Sequence, residues 1–360
     1  MRAAREDNMA KDDLSGLLKG IGKKLKGVEI SPLSEVRVPY KTRRRTGIYS
    51  LDFGGLKGGF PAGAVSQVFG PPNVGKTMLA HRTIACVQED YGDKANILWM
   101  SFGYAPDEGF MRMNGVDPEV GNLVILSRNR EADEAPTEML LEASAQMIKS
   151  GKFQLVVIDE IGSGETRHNV VKGLHEDSKV ASFATLMSNW CKRVYEGLRT
   201  PLENGDPNET CILVLTPVRA NMDTHSAKFN PWTIPGGHAL KHAKAVDVHI
   251  KPAGKIRKGK IVIGKTVGWK IAKGKLGVAE GATGSFDFIH NEGVDGIADL
   301  ANTAKAYGAI KNKGAFYYIL DYEDRISGGL DGVVGALRKN PEAVRELREW
   351  LSSMESREET

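Results

Sequence analysis

The stretch Gly70-Pro71-Pro72-Asn73-Val74-Gly75-Lys76-Thr77 constrains this chain more than any other, because it fits G-x-x-x-x-G-K-[ST], the spacing of a phosphate-binding loop. Its flanks fit as well. Ala64 to Phe69 reads as a strand entering the loop, and Met78 to Glu89 as a helix leaving it. The glycines free the backbone so that successive N–H groups can point at phosphate oxygens. The helix N-terminus adds the positive end of its dipole. Lys76 is then the residue to reach the β- and γ-phosphates, and the Thr77 hydroxyl the one to ligate Mg2+. The alternative, a glycine-rich turn that binds nothing, is disfavoured because strand and helix are both in place.

A second half-site follows in Leu155-Val156-Val157-Ile158-Asp159, an apolar strand ending in an acid. Two strand–helix units after a phosphate-binding loop, such an aspartate orients Mg2+ through its water shell. Glu160 comes next, and a carboxylate there could activate an attacking water; a polar residue that merely ends a strand is the alternative.

Further apolar runs at 97–101, 123–127 and 211–216 alternate with helical patterns at 136–149 and 178–198. Alternating strands and helices predict a mostly parallel sheet flanked by helices, an α/β class. Beyond residue 245 the segments 246–250, 261–263, 267–271 and 286–289 read as short strands continuing that sheet in antiparallel fashion. Residues 1–45 are expected to be an N-terminal helix and linker, 46–291 the core, 292–352 a small α+β C-terminal domain, and 353–360 a disordered tail. The N-terminal helix has Leu14, Leu17, Leu18, Ile21 and Leu25 at helical spacing and needs a surface to cover, its own core or another copy's. The basic run Lys41 to Arg45 reads as a solvated face. Three cysteines without metal-type spacing, no membrane-length apolar run and a polar N-terminus point to a reducing compartment, the cytoplasm, and no membrane.

Charge is distributed unevenly. No acidic residue lies between Asp247 and Glu280, where lysines and Arg257 recur, a surplus suited to polyphosphate. Two long polar segments, Arg167 to Lys179 and Arg219 to Pro235, leave the C-terminal ends of core strands and so should emerge on one face. The second mixes Arg219 and Lys228 with Phe229 and Trp232, cations and aromatics together as on single-strand-binding surfaces.

Taken with Thr46-Gly47, Leu51-Asp52, Gly58 to Gly63, Asp177-Ser178, Gly236-Gly237 with Ala239-Leu240-Lys241, and Asn340-Pro341-Glu342, the chain resembles the RecA-type homologous recombinases from about residue 12 to 352. Its short size suggests a phage-encoded member. The resemblance implies a P-loop NTPase core using ATP and Mg2+, with filaments formed by copies of the chain on single-stranded DNA and paired with homologous double-stranded DNA. Single-strand-binding and mediator proteins would be further partners. It implies that Phe110 stacks on adenine and that Lys273 and Lys275 reach a neighbouring subunit's ATP. It also implies that Arg167, Lys172, Lys179, Arg219, Lys228, Phe229, Trp232, Gly236 and Gly237 belong to two DNA-binding loops.

Two departures bear on mechanism. Gly103 stands where the family has its catalytic glutamate, and Pro217 where it has a γ-phosphate-sensing glutamine. Glu160 is then the nearest candidate base. A weakly hydrolysing recombination mediator and a ring-forming motor of the helicase kind stay open as alternatives.

Overall fold

In the computed structural model, described residues are 21, 37–103, 105–128, 136–161, 180–220, 232–233 and 237–357. The chain divides into two compact units, residues 1–38 and 39–360. Of the first unit only Ile21, Arg37 and Val38 are described, Ile21 being helical. The expected N-terminal helix otherwise lies outside the described residues.

The second unit is built on β1 (Val65–Gly70), α1 (Lys76–Tyr91), β2 (Asn96–Ser101), α2 (Glu108–Met113), β3 (Asn122–Leu126), α3 (Pro136–Lys149), β4 (Leu155–Asp159), α4 (Val180–Arg199), β5 (Cys211–Pro217), α5 (Gly237–Ala243), β6 (Lys244–Lys258), β7 (Ile261–Gly274), β8 (Thr283–Ile289) and β9 (Gly293–Val294). Among the described residues these strands form one sheet in the order β9-β8-β7-β6-β1-β5-β4-β2-β3. The pairs from β6 through β1, β5, β4 and β2 to β3 are parallel. Those from β6 to β9 are antiparallel.

The central strands read as unbroken apolar runs because both of their faces are buried. Successive side chains point to opposite faces. Val157, Leu213 and Val68 therefore pack with the α1 side. Val156, Ile158, Ile212 and Val214 pack with Leu140, Met187 and Trp190 of α3 and α4. At the far edge β3 has one partner among the described residues, and Val124 and Ile125 on it are 39% and 40% exposed.

Two expectations need correction. The segments 246–250, 261–263 and 267–271 are not separate short strands but parts of one long hairpin, β6–β7. Pro252 and the glycines at 254, 264 and 268 look like turn signals, yet only Gly259-Lys260 makes the turn, and Pro252 and Gly254 flank a register shift. Proline is tolerated there because β6 pairs with β1 only as far as His249. Nor is the run Lys41 to Arg45 a solvated face. Arg44 is 2% exposed, and its guanidinium donates to the Gln154 and Glu209 carbonyls and to the Tyr91 hydroxyl. Arg43 donates to the Leu276 carbonyl, while Arg45 pairs with Asp90. These acceptors lie far off in sequence.

Residues 296–357 form α6 (Gly296–Ala306), the hairpin β10 (Ile310–Lys313) with β11 (Phe316–Ile319), α7 (Gly329–Lys339) and α8 (Pro341–Arg357). They enclose a separate apolar cluster that includes Leu300, Ile310, Ile319, Val333, Leu337 and Leu347. The tail expected to be disordered from 353 continues α8 to Arg357; residues 358–360 lie outside the described ones.

Trp269 anchors β7 in the main core. It is 2% exposed, and its indole N–H donates to the Ser50 hydroxyl at 3.3 Å. Trp269→Ala should lower the unfolding free energy by about 3–5 kcal/mol, the range for truncating a buried aromatic. Guanidinium denaturation followed by circular dichroism checks this.

Candidate nucleotide site

Parallel strands bring their C-terminal ends to one side of the sheet, where open α/β folds place their ligands. Here the loop after β1, the end of β4 and the residues after β2 line one cleft of about 730 Å3. Its walls include Pro72, Asn73, Gly75, Lys76 and Thr77 from the loop, Gly103 after β2, and Asp159 and Glu160 at the end of β4.

The loop's first and sixth residues must be glycine for different reasons. A Cβ on Gly70 would stand 2.2 Å from the Ile250 carbonyl oxygen, so β6 leaves no room for a side chain. Gly75 has φ +127°, a conformation L side chains rarely adopt. Asn73 is also left-handed, at φ +58°, as asparagine tolerates. Val74 is buried against the core and fixes the loop from behind.

Lys76 opens α1 and is 7% exposed. Its ammonium donates to the Gly70 and Pro71 carbonyls at 3.3 and 3.1 Å and lies 3.4 Å from Glu160 Oε1. Strand alternation could have turned Glu160 away from the cleft; instead its carboxylate faces the loop lysine. The Thr77 side chain lies beside the Asp159 carboxylate and lines the cleft with it. Burial, with the neighbouring Glu160, pushes the Asp159 carboxyl up to about 6 against the pull of Lys76 and Thr77. A half-buried hydroxyl and carboxylate side by side suit Mg2+, which keeps waters and phosphate oxygens and takes few protein ligands. Among the described residues no group of three or more His, Cys, Asp or Glu side chains could hold a metal by itself. The donor set therefore fits a cation that arrives with a phosphate chain.

Aromatic rings form the other end of the cleft. Phe110, on α2, lines it and meets Phe288 of β8 edge-on at 6.4 Å and His81 at 5.3 Å. Burial lowers His81 to about 4, so it packs there as a neutral ring. Gly103 offers no side chain, and a Cβ there would meet nothing within 4 Å. Neither nearby acid replaces it: Asp107 caps α2, accepting from the Phe110 N–H at 2.6 Å, and Glu108 pairs with Arg112 at 2.9 Å.

Two residues of the cleft escaped sequence reasoning. Phe288 had been read only as a core strand residue. Lys265 of β7 had been read only as part of a basic stretch, yet it lines the cleft and its ammonium donates to the Asn73 carbonyl at 2.6 Å. Neither could have been found locally, since the partner loop is 192 positions away for Lys265. Lys273 and Lys275 do not line this cleft. Lys273 donates to the Lys241 and Lys244 carbonyls at 2.8 and 2.6 Å, at the end of α5 and the start of β6, and Lys275 is exposed.

Of the residues assigned to DNA, Arg167, Lys172, Lys179, Lys228, Phe229 and Gly236 lie outside the described ones. Arg219 and Trp232 belong to a short antiparallel ribbon pairing Arg219 with Thr233 and Ala220 with Trp232, and Trp232 is 52% exposed. Gly237 opens α5.

Residues 13–295 match the family model for the RecA N-terminal domain. The chain is 31% identical to Protein RecA of Synechococcus sp. (strain WH7803) over 303 residues, 83% of this chain and 72% of that one. It is 27% identical to Protein RecA of Syntrophus aciditrophicus (strain SB) over 308 residues, 86% and 83% of the two chains. Protein RecA of Bdellovibrio bacteriovorus is likewise 27% identical, over 85% of this chain and 75% of its own.

Lys76→Ala should weaken binding of a fluorescent ATP analogue by about 10- to 100-fold, the equivalent of losing hydrogen bonds to charged groups worth about 1.5–3 kcal/mol. Near wild-type affinity would sink the assignment of the loop.

Proposed function

The chain belongs to the RecA family, whose members are DNA recombination and repair ATPases, and on that footing we propose that it polymerises on single-stranded DNA in an ATP-dependent manner and pairs that strand with homologous duplex in the cytoplasm. The observation that carries this reading is the meeting of Lys76, Thr77, Asp159 and Glu160 at the ends of β1 and β4.

In this reading the triphosphate lies along the loop, with Lys76 against its β- and γ-phosphates and the base against the wall formed by Phe110 and Phe288. Thr77 and Asp159 would hold Mg2+, which would supply charge neutralisation on the phosphates when bound. A water attacks the γ-phosphorus, its proton passes to Glu160, and the bond to the leaving diphosphate breaks. Glu160 suits this role because its carboxylate already faces Lys76 across 3.4 Å. Trp232, exposed on the ribbon at the root of the second long polar segment, supports the assignment of that segment to single-stranded DNA. Polymerisation is supported by the single-partnered edge β3, whose exposed Val124 and Ile125 offer another copy a place to add. Lys273 and Lys275 would reach the next copy's nucleotide, Lys273 first leaving the carbonyls that hold it. Among the described residues no helix is long and apolar enough to cross a membrane.

A second reading has one observation in its favour. Gly103 gives the cleft no carboxylate from the β2 side, which suits a mediator that binds ATP and DNA and scarcely hydrolyses.

Negative-stain images of the protein with single-stranded DNA and a non-hydrolysable ATP analogue should show helical filaments. Closed rings, or no polymer at all, would overturn the recombinase reading. Glu160→Gln should leave ATP and DNA binding intact and slow ATP turnover by roughly 10²-fold or more. Unchanged turnover would return Glu160 to a structural role, and a wild type with barely measurable turnover would favour the mediator.

A further inference from the structure

The β6–β7 hairpin contributes one cation to the nucleotide cleft whose surroundings are short of negative charge. Lys265 sits on β7 with its ammonium 2.6 Å from the Asn73 carbonyl oxygen and 5.5 Å from the centre of the Phe288 ring. Lys76 donates to the carbonyls of the loop's first two residues, and Lys265 to that of its fourth. The phosphate-binding loop is thus held by two ammoniums, one from α1 at its start and one from the hairpin at its apex.

Three features leave Lys265 in want of an anion. Lysine has three N–H donors, and among the described residues only the Asn73 carbonyl accepts from it. Among the described residues, neither carboxylate of the cleft forms an ion pair with Lys265, and Glu160 is paired with Lys76 instead. Directly across the hairpin from Lys265 stands Lys255, and like charges in opposed positions repel. Burial adds to this by disfavouring the charged ammonium, and no neighbouring carboxylate offsets it. Such a cation gains most from a multiply charged ligand that enters the cleft.

We propose that Lys265 is a phosphate-binding residue of the nucleotide site, brought by the hairpin to the polyphosphate chain of a nucleoside triphosphate bound in the same subunit. The proposal rests on the nucleotide-binding reading of the cleft and adds to it a residue that the loop motif does not include. Its position between the loop's apex and the Phe110–Phe288 wall puts the ammonium over the phosphates nearest the base. The hydrogen bond to Asn73 aims it, and the Phe288 ring supports it from beneath by cation–π attraction.

The test compares ATP binding by wild type, Lys265→Met and Lys265→Arg, measured calorimetrically with Mg2+ over a range of salt concentrations. Met keeps an unbranched stem against Phe288 and removes only the charge. Lys265→Met should bind ATP about tenfold or more weakly at low salt, and its affinity should fall less steeply with salt than that of wild type. Lys265→Arg should keep most of the affinity and the wild-type salt dependence. Unchanged affinity in Lys265→Met overturns the proposal. So does a loss that keeps the wild-type salt dependence, because a packing role would behave that way. If wild type itself binds no ATP, the nucleotide reading of the cleft fails first, and that outcome is distinct from either of these.

Discussion

The site depends on one steric constraint, the contact between Gly70 and the carbonyl of Ile250. β1 runs between β5 and β6 in a sheet buried on both faces, and at its last residue β6 comes so near that no Cβ fits. That approach sets where the chain leaves the sheet, and so where the loop begins. Val74, packed in the core behind it, sets the loop's path, and α1 starts at Lys76. Everything charged in the cleft is then placed by the sheet. Asp159 and Glu160 arrive at the end of β4, two strands away from β1, with β5 between them.

Burial makes these charges interdependent. Lys76 is almost wholly withdrawn from water, and an ammonium there needs compensation. Glu160 and two carbonyls supply it. The same withdrawal disfavours ionised Asp159 and makes it a strong partner for an incoming cation. A cleft of paired charges with aromatic walls can exchange internal partners for those of a ligand with little change of shape.

The features legible in the sequence were those set by short-range pattern. The loop Gly70 to Thr77, the acid at the end of 155–159 and the alternation of apolar strands with helices all depend on neighbours within a few residues. What could not be read was set at long range. The run Lys41 to Arg45 looked solvated because Arg43 and Arg44 donate to backbone carbonyls at Gln154, Glu209 and Leu276, and carbonyls leave no trace in a sequence. The hairpin β6–β7 was broken up on paper because Pro252 and its glycines mimic turns; they are accommodated where β6 has already parted from β1. Lys265 and Phe288 were hidden for a similar reason, since nothing near either of them names the loop they face.

The two halves of that hairpin live under different conditions. Its inner half, Lys244 to His249, is bonded on one side to β1 and on the other to β7, so opening it means breaking into the central sheet. Beyond His249, β6 is bonded only to β7, with exposed lysines at 251, 255 and 258 and a two-residue turn at the tip. Local opening free energies scale with such support. Amide protons should therefore be long-lived up to His249 and exchange readily a few residues later within one continuous strand. Lys265, paired with Lys255 on one side and with Phe288 of β8 on the other, reaches the phosphate-binding loop from the strand that stays anchored when the far half of β6 opens.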